Sequence, residues 1–532
     1  YQALNVNETG TQNTAVGTNA LDANTTANNN TSVGFNSLTA NTTGHSNVAV
    51  GSGALDANTT ANYNTAMGLA ALGANTTGGQ NVAVGGLSLD ANTSGTANVA
   101  VGQGSLGSNT TASNNTALGY TALELNTTGE QGTAVGSLAG AAVTTGNRNT
   151  FIGYASGQST TTGDDNTAVG RGAFSNNSTG EDNVAIGMGA LHASTTASSN
   201  TAVGKSALAA NTTATNNTAV GHNALTTTTT GVDNVAVGKD ALEANTTGRM
   251  NVAIGRDALQ ANTEGELNVA VGREALYFNT TGDSNVGIGR NALSNNTTAS
   301  NNTAIGDSAL NVNTTGAQNT AVGQGALDAN TTASENTAVG VGALTANTTG
   351  SANTAVGHSA LEGCTTATQS TAVGQRALEN VTTGDKNTGL GWNAGGALTT
   401  GDFNTFVGQR AGDAITTGDK NVAVGSEALS SGPSGENCTA VGYQALFANS
   451  TASNNTALGA TSLSGNTTGT ENTALGAFAS ASSTTANNCT SVGYAALNAL
   501  TTGSSNTAVG REAGKTNVSA SHNTLIGAES FK

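Results

Sequence analysis

The sequence predicts an all-β protein built as a parallel β-solenoid, with one 17-residue repeat per coil and about 31 coils. Three observations predict this. A glycine recurs every 17 residues from Gly17 to Gly527, through Gly34, Gly51 and Gly68, without one slip. The residue before each of these glycines is Val, Ile, Leu or Met, from Val16 and Val33 to Ile526, with no polar exception. Asn precedes 27 of the 31 apolar triplets, the exceptions being Gly132, Ser370, Cys438 and Cys489. A period this short and strict belongs to repeat architectures in which each unit is one structural rung.

The elements follow in order along the unit, for which Asn319-Thr320-Ala321-Val322-Gly323 through Asn330-Thr331-Thr332-Ala333 is a typical copy. Thr-Ala-Val is too short for a helix, and its first residue alternates between Thr and Val, which share a β-branched shape. The glycine permits a corner with positive φ. A second short extended piece is expected around Ala-Leu, and a third around Asn-Thr-Thr before a Gly or Ala turn. Three short strands and three corners then close one coil. A helical solenoid would need longer units of helix formers, and here Gly and Thr interrupt every candidate helix. Stacked Asn side chains are expected to form ladders along the coil, bonding to one another or to corner backbone. That accounts for the Asn-Thr-Thr triplets better than their match to a glycosylation acceptor does.

Charged residues make up 9 % of the chain and aromatics 3 %, a composition that alone would suit disorder. Disorder has no use for an aliphatic residue at fixed phase, so one continuous repeat domain over residues 1–532 is expected instead. The net charge of −17 argues against nucleic acid as a partner. No apolar run approaches the length of a membrane span, so no membrane insertion is expected within this segment. Tyr1-Gln2-Ala3-Leu4 reads like Tyr443-Gln444-Ala445-Leu446, and Ser530-Phe531-Lys532 stops at a similar phase, so the chain reads as part of something longer.

All 15 Lys and Arg fall at variable positions: after the glycine (Arg171, Lys205, Lys239), after the leucine (Lys515, Lys532), or in the turn before the strand (Arg148, Lys386, Lys420). Acids do likewise, Glu8 and Glu264 excepted. His45, His192, His222, His358 and His522 share those solvent-facing slots, scattered and without an evident held partner. Cys438 and Cys489 stand in the Asn slot before the strand, and Cys364 in the other Asn slot. Three rungs separate the first two, roughly 14 Å at strand spacing, too far for a disulfide. No clustered Cys/His spacing suggests a metal, and no cofactor is expected.

The strand itself is apolar on both sides. Adjacent side chains in a strand point opposite ways, and a strand apolar on both faces is normally covered on both. One face can line the coil interior with Leu; the other calls for a second chain. Where the middle residue becomes Phe (Phe151, Phe406), the following Leu slot becomes Gly (Gly157, Gly412), which reads as volume exchange in one space, inside the coil or at a seam between chains.

Asn-Val-Ala-Val-Gly, Asn-Val-Ala-Ile-Gly and Asn-Thr-Ala-Val-Gly resemble the head repeats of trimeric autotransporter adhesins, the YadA-like group, and the full unit also looks like repeat tracts of bacteriophage tail fibres. The resemblance covers essentially the whole chain, whose unit is longer than the adhesin repeat by about one Asn-Thr-Thr segment. It implies a left-handed β-roll in each chain and three chains packed as a homotrimer.

The function expected from these features is a structural and adhesive extracellular fibre, a stiff rod that displays or spaces a binding element on a bacterial cell surface. At strand spacing the coils would span roughly 150 Å. The alternative is a bacteriophage tail fibre shaft, placing the chain on a virion. An ice- or glycan-binding β-solenoid is an alternative of another class; of each Thr-Thr pair only one residue can face outward in a rank. Calcium is not expected, since Asp164, Asp385 and Asp419 follow the turn glycine in only some copies. Nor is an enzyme expected: no insertion breaks the period to build a pocket, and adjacent acids such as Glu181-Asp182 read as turn residues. No catalytic, cofactor-binding or metal residue is therefore proposed. The expected partners are further copies of the chain and a host-surface or matrix ligand.

Overall fold

The computed structural model describes residues 1–531, so Lys532, one of the predicted surface cations, lies outside the described residues. The chain is an all-β parallel solenoid of 17-residue coils, each contributing one three-residue strand, from β1 (Thr14–Val16) to β31 (Thr524–Ile526). It divides into two compact units, Tyr1–Leu267 and Asn268–Lys532. The first holds β1 to β15 (Val252–Ile254) and the second β16 (Val269–Val271) to β31. Within each unit every strand pairs in parallel with the next, one full repeat away: Thr14 opposes Thr31 and Val16 opposes Val33, and in the second unit Thr320 opposes Thr337 and Val322 opposes Val339.

Of the three extended pieces expected per coil, only the triplet before the glycine forms a strand. The Ala-Leu segment is a sequence of turns, because the residues on either side of the alanine are left-handed: Asn19 (φ 57°) and Leu21 (φ 57°), and likewise Asn36 (φ 53°) and Leu38 (φ 52°) around Ser37. A third left-handed residue precedes the Asn before the strand, as at Asn29 (φ 60°). The left-handed basin costs an L-residue about 1–2 kcal/mol. Leu21 and Leu38 are fully buried, which offsets about 1.5–3 kcal/mol each. The twisted path also keeps its backbone paired to the next coil, with Leu38 N–H donating to Ala54 O at 2.9 Å and Thr42 N–H to Thr59 O at 2.9 Å. Tertiary burial overrides local preference here.

The corner glycine is positive in φ as expected, +134° at Gly17 and +146° at Gly34. It has a second reason to be glycine. A Cβ on Gly306 would lie 2.6 Å from the carbonyl oxygen of Gly323, the equivalent residue one coil on. The coils stack too closely at this edge for any side chain.

The interior is narrow. The middle strand residue points into it with the Ala-Leu pair, as with Ala49, Ala54 and Leu55, all fully buried. Phe151 and Phe406 are fully buried too, which places the predicted volume exchange inside the coil. Each ring displaces two leucines: Gly140 of the preceding coil would carry a Cβ 2.8 Å from Phe151 Cδ2, and Gly395 one 2.6 Å from Phe406 Cδ2, besides the clashes at Gly157 and Gly412.

Two asparagine ladders line the corners, and nearly all their members are fully buried. Before the strand, Asn47 N–H donates to Asn30 Oδ1 at 2.9 Å, while Asn47 Nδ2 donates to Ala61 O at 2.8 Å. After the leucine, Asn58 Nδ2 donates to Asn41 Oδ1 at 2.9 Å and Asn75 Nδ2 to Asn58 Oδ1 at 3.0 Å. Both amide ends are thus satisfied out of water in most coils, as buried polar groups require; Asn126 Oδ1 and Asn466 Oδ1, where the next coil has Val143 or Ser483 in the slot, are left without a partner. The cysteines slot into these ladders as free thiols. Cys438 N–H donates to Asn421 Oδ1 at 2.9 Å, and Cys364 Sγ lies 3.7 Å from Asn347 Oδ1.

Candidate functional site

With the middle residue of every strand turned inward, its two neighbours must turn outward. The first, Thr or Val, is half-buried; the third is the aliphatic residue before the glycine. Met67 is 43 % exposed, Leu118 46 %, Ile254 41 % and Leu390 46 %, values that remove these side chains from the core. The outward strand column is thus apolar at every rung, and no charged residue occurs in it in the whole sequence. Around the glycine corner the next column adds large exposed groups: Phe35, Leu69, Tyr120, Tyr154, Trp392, Tyr443 and Tyr494. On other coils the same corner column carries cations (Arg171, Lys205, Lys239, Arg256), so the apolar surface of the kind that marks association is the strand column itself.

The other outward columns are polar. In each Thr-Thr pair the first hydroxyl bonds onward to the next coil, as Thr42 Oγ1 does to Thr59 O at 3.1 Å. The second, as at Thr26, Thr43 and Thr60, is exposed, forming a single outward rank. The turn before the strand carries a third ladder that the sequence reading missed. Thr11 N–H donates to Asn28 Oδ1 at 2.6 Å, Thr368 to Asp385 Oδ1 at 2.7 Å, and Asp402 to Asp419 Oδ1 at 2.7 Å. Asp164, Asp385 and Asp419, weighed above as calcium ligands, accept backbone N–H groups in this way. The recurrence of Asp, Asn and Ser just after the turn Gly or Ala was the available signal.

The histidines are dispersed, but three have partners, His222 Nδ1 lying 3.8 Å from Asp240 Oδ1. His192 Nδ1 lies 2.7 Å from Ser175 Oγ, and the His45 ring packs edge-on against Tyr63 with centroids 5.0 Å apart. Glu181 and Asp182 are exposed in a turn. Among the described residues no group of three His, Cys, Asp or Glu is placed to hold a metal, and no helix is long and apolar enough to cross a membrane. Several cations pair with the acid one coil on: Arg148 Nε with Asp165 Oδ1 at 2.6 Å, Arg249 with Glu266 at 2.9 Å, and Arg290 with Asp307 at 2.6 Å. The guanidinium beside Asp165 holds its carboxyl below the usual range. Solvent screens these exposed pairs, so they add little to stability. Within each unit the arrangement presents an apolar strand face beside polar columns. Comparison with protein-family models gives no match, and no curated protein is similar to the chain in sequence.

Proposed function

We propose that this chain is the shaft of an extracellular structural and adhesive fibre, with further copies of itself covering the apolar strand face in a homotrimer. One observation carries the reading: the outward strand column, Val, Ile, Leu or Met at every rung and partly exposed at each. An occupant that covers such a column must present matching apolar groups at the same axial repeat, which another copy of this chain does. Burying it would remove from water a surface that costs about 25 cal/mol per Å² when exposed, and closed symmetry would leave no free ridge for further growth. The left-handed winding and threefold packing of the YadA-like adhesins fit the same arrangement. A shaft of this kind spaces a binding element from a bacterial surface, or serves as a tail fibre on a virion. The exposed threonine rank supports a second reading, an ice-binding surface; a single rank offers less than a flat array, and a thermal-hysteresis assay on the purified chain is expected to show no activity.

The test is mass in solution by light scattering after size exclusion. The expected value is three times the mass of one chain, in particles elongated by their sedimentation. A monomer at micromolar concentration would refute the assembly.

A further inference from the structure

A groove of about 450 Å³ opens on the outer surface of the first unit, between the column after the corner glycine and the columns after the leucine. It exists because three successive coils carry almost no side chain at the second position past the corner: Ala155, Gly172 and Gly189. Elsewhere that column holds at most two such residues in a row, as Gly53 with Ala70 or Gly325 with Gly342, between larger ones such as Asn36, Leu87 or Asp240. Nothing lies within 4 Å of a Cβ built on Gly189. One wall is Tyr154, Arg171 and Met188; the other includes Ser175, Asn176 and His192.

The lining has a distinct chemistry. The Tyr154 ring is 57 % exposed. Arg171 forms no ion pair among the described residues, unlike Arg148 or Arg290; its Nη2 rests 3.0 Å from Met188 Sδ, a weak acceptor. Ser175 and His192 are held together at 2.7 Å. No carboxylate occurs on this face of the repeat between Glu124 and Asp240: the intervening acids, Glu130, Asp164, Asp165, Glu181, Asp182 and Asp233, all fall in the turn before the strand. On a chain of net charge −17, this stretch carries Arg171 and Lys205 uncountered by any acid on the same face.

We propose that this groove binds a carboxylate-bearing sugar residue of an acidic polysaccharide. The open tyrosine face suits the C–H side of a pyranose ring, and the space left by the glycines admits the ring itself. Ser175, Asn176 and His192 supply both donors and acceptors for hydroxyls. The unpaired guanidinium matches a carboxylate bidentately. A nucleic acid would need a longer file of cations and would meet repulsion from the rest of the chain. The groove shares only the Tyr154, Arg171 and Met188 column with the surface beside the strand face, so this inference adds a ligand class to the fibre reading and rests on a packing that covers the strand column and leaves that corner column open.

The test titrates the full chain with tri-galacturonate, followed by calorimetry, with uncharged galactotriose and a thymidine oligonucleotide as comparisons. Saturable binding of tri-galacturonate is expected, at least tenfold tighter than galactotriose. Arg171→Gln and Tyr154→Ala are each expected to weaken it tenfold or more. Gly189→Asn fills the groove with the residue that Asn19 and Asn223 supply in the same column and the same left-handed conformation, so it is expected to abolish binding with thermal stability retained. Gly325→Asn, the same change on a distant coil, is expected to leave binding unaltered. Absence of tri-galacturonate binding, equal binding of galactotriose, preference for the oligonucleotide, or indifference to both Arg171→Gln and Gly189→Asn would each overturn the proposal. A monomer that still binds the sugar would overturn the assembly alone.

Discussion

Gly306 and Gly325 are glycines for opposite reasons. The first, at φ +135°, faces the backbone carbonyl of the next coil; the second, at φ +63°, faces open space in a column where other residues adopt the same conformation. Gly306→Ala is expected to cost about 3 kcal/mol or more, since strain in this region adds to a clash with backbone that cannot turn aside. Gly325→Ala is expected to change stability by about 1 kcal/mol or less. Hydrogen exchange at the amides of the adjoining strands, β18 (Thr303–Ile305) and β19 (Thr320–Val322), separates the two. Cys364 makes a different residue-scale prediction. Burial pushes its thiol up to about 12, so the reactive thiolate is scarce at pH 8 as well as enclosed. A thiol reagent is expected to leave Cys364 unmodified in the native protein and to label it only in denaturant; rapid native labelling would contradict its place in the ladder.

At the scale of one coil, Phe151 and its glycines act as a unit. Phe151→Ala is expected to cost about 3–5 kcal/mol by opening a cavity, and Gly157→Leu alone to destabilise by overpacking. Combined, they restore Ala over Leu in that coil, with Gly140 still leaving a gap in the coil before, so a double-mutant cycle is expected to show favourable coupling of about 1–3 kcal/mol. Additive costs would place the ring outside the shared interior. This exchange was visible in the sequence because Phe and Gly changed together at fixed phase; that each ring also empties the Leu slot of the preceding coil was not, since Gly140 and Gly395 lie nearer the Phe of the following repeat than any local pattern shows. The strand and its glycine were equally legible, their period and β-branching pointing the same way. The Ala-Leu piece misled. Leucine prefers right-handed or extended backbone, and nothing local announces that Leu21 or Leu327 will sit at φ 57° or 53°. Only the need to bring that side chain inward, while pairing the backbone to the next coil, selects the conformation. For the candidate site, the unpartnered strand face followed directly from alternation along Thr-Ala-Val. The groove did not, because it depends on small residues in three successive copies.

Across the whole molecule, stability in a repeat array sums local rungs and their contacts with immediate neighbours, so its weakest coil governs where it opens. Pro433 is the sole proline of the chain. Gly432 and Cys438 replace asparagines of both ladders in the same coil. Among the described residues, no N–H from Ser430 to Glu436 donates to a backbone carbonyl, whereas the next coil has Ala448 bonded to Ser464 O at 2.9 Å and Ser450 to Thr467 O at 3.0 Å. Limited proteolysis is therefore expected to cut first between Ser430 and Gly435. Replacing Ser431-Gly432-Pro433 by Ala-Asn-Thr is expected to slow that cut several-fold. Assembly is tested at the same scale by Ile305→Lys, Val322→Lys and Val339→Lys together. These side chains already face outward, so the coils are expected to stay folded while the mass falls to that of one chain. The uniform offset between partnered strands has one last consequence. Coils with the common Ala-over-Leu filling present interchangeable upper and lower edges, so excising one repeat between Gly34 and Gly119 would rejoin surfaces that already match. Gain or loss of whole repeats there would adjust the coil number in fixed increments, whereas a cut that parted Phe151 from Gly140 or Gly157 would set its ring against a leucine.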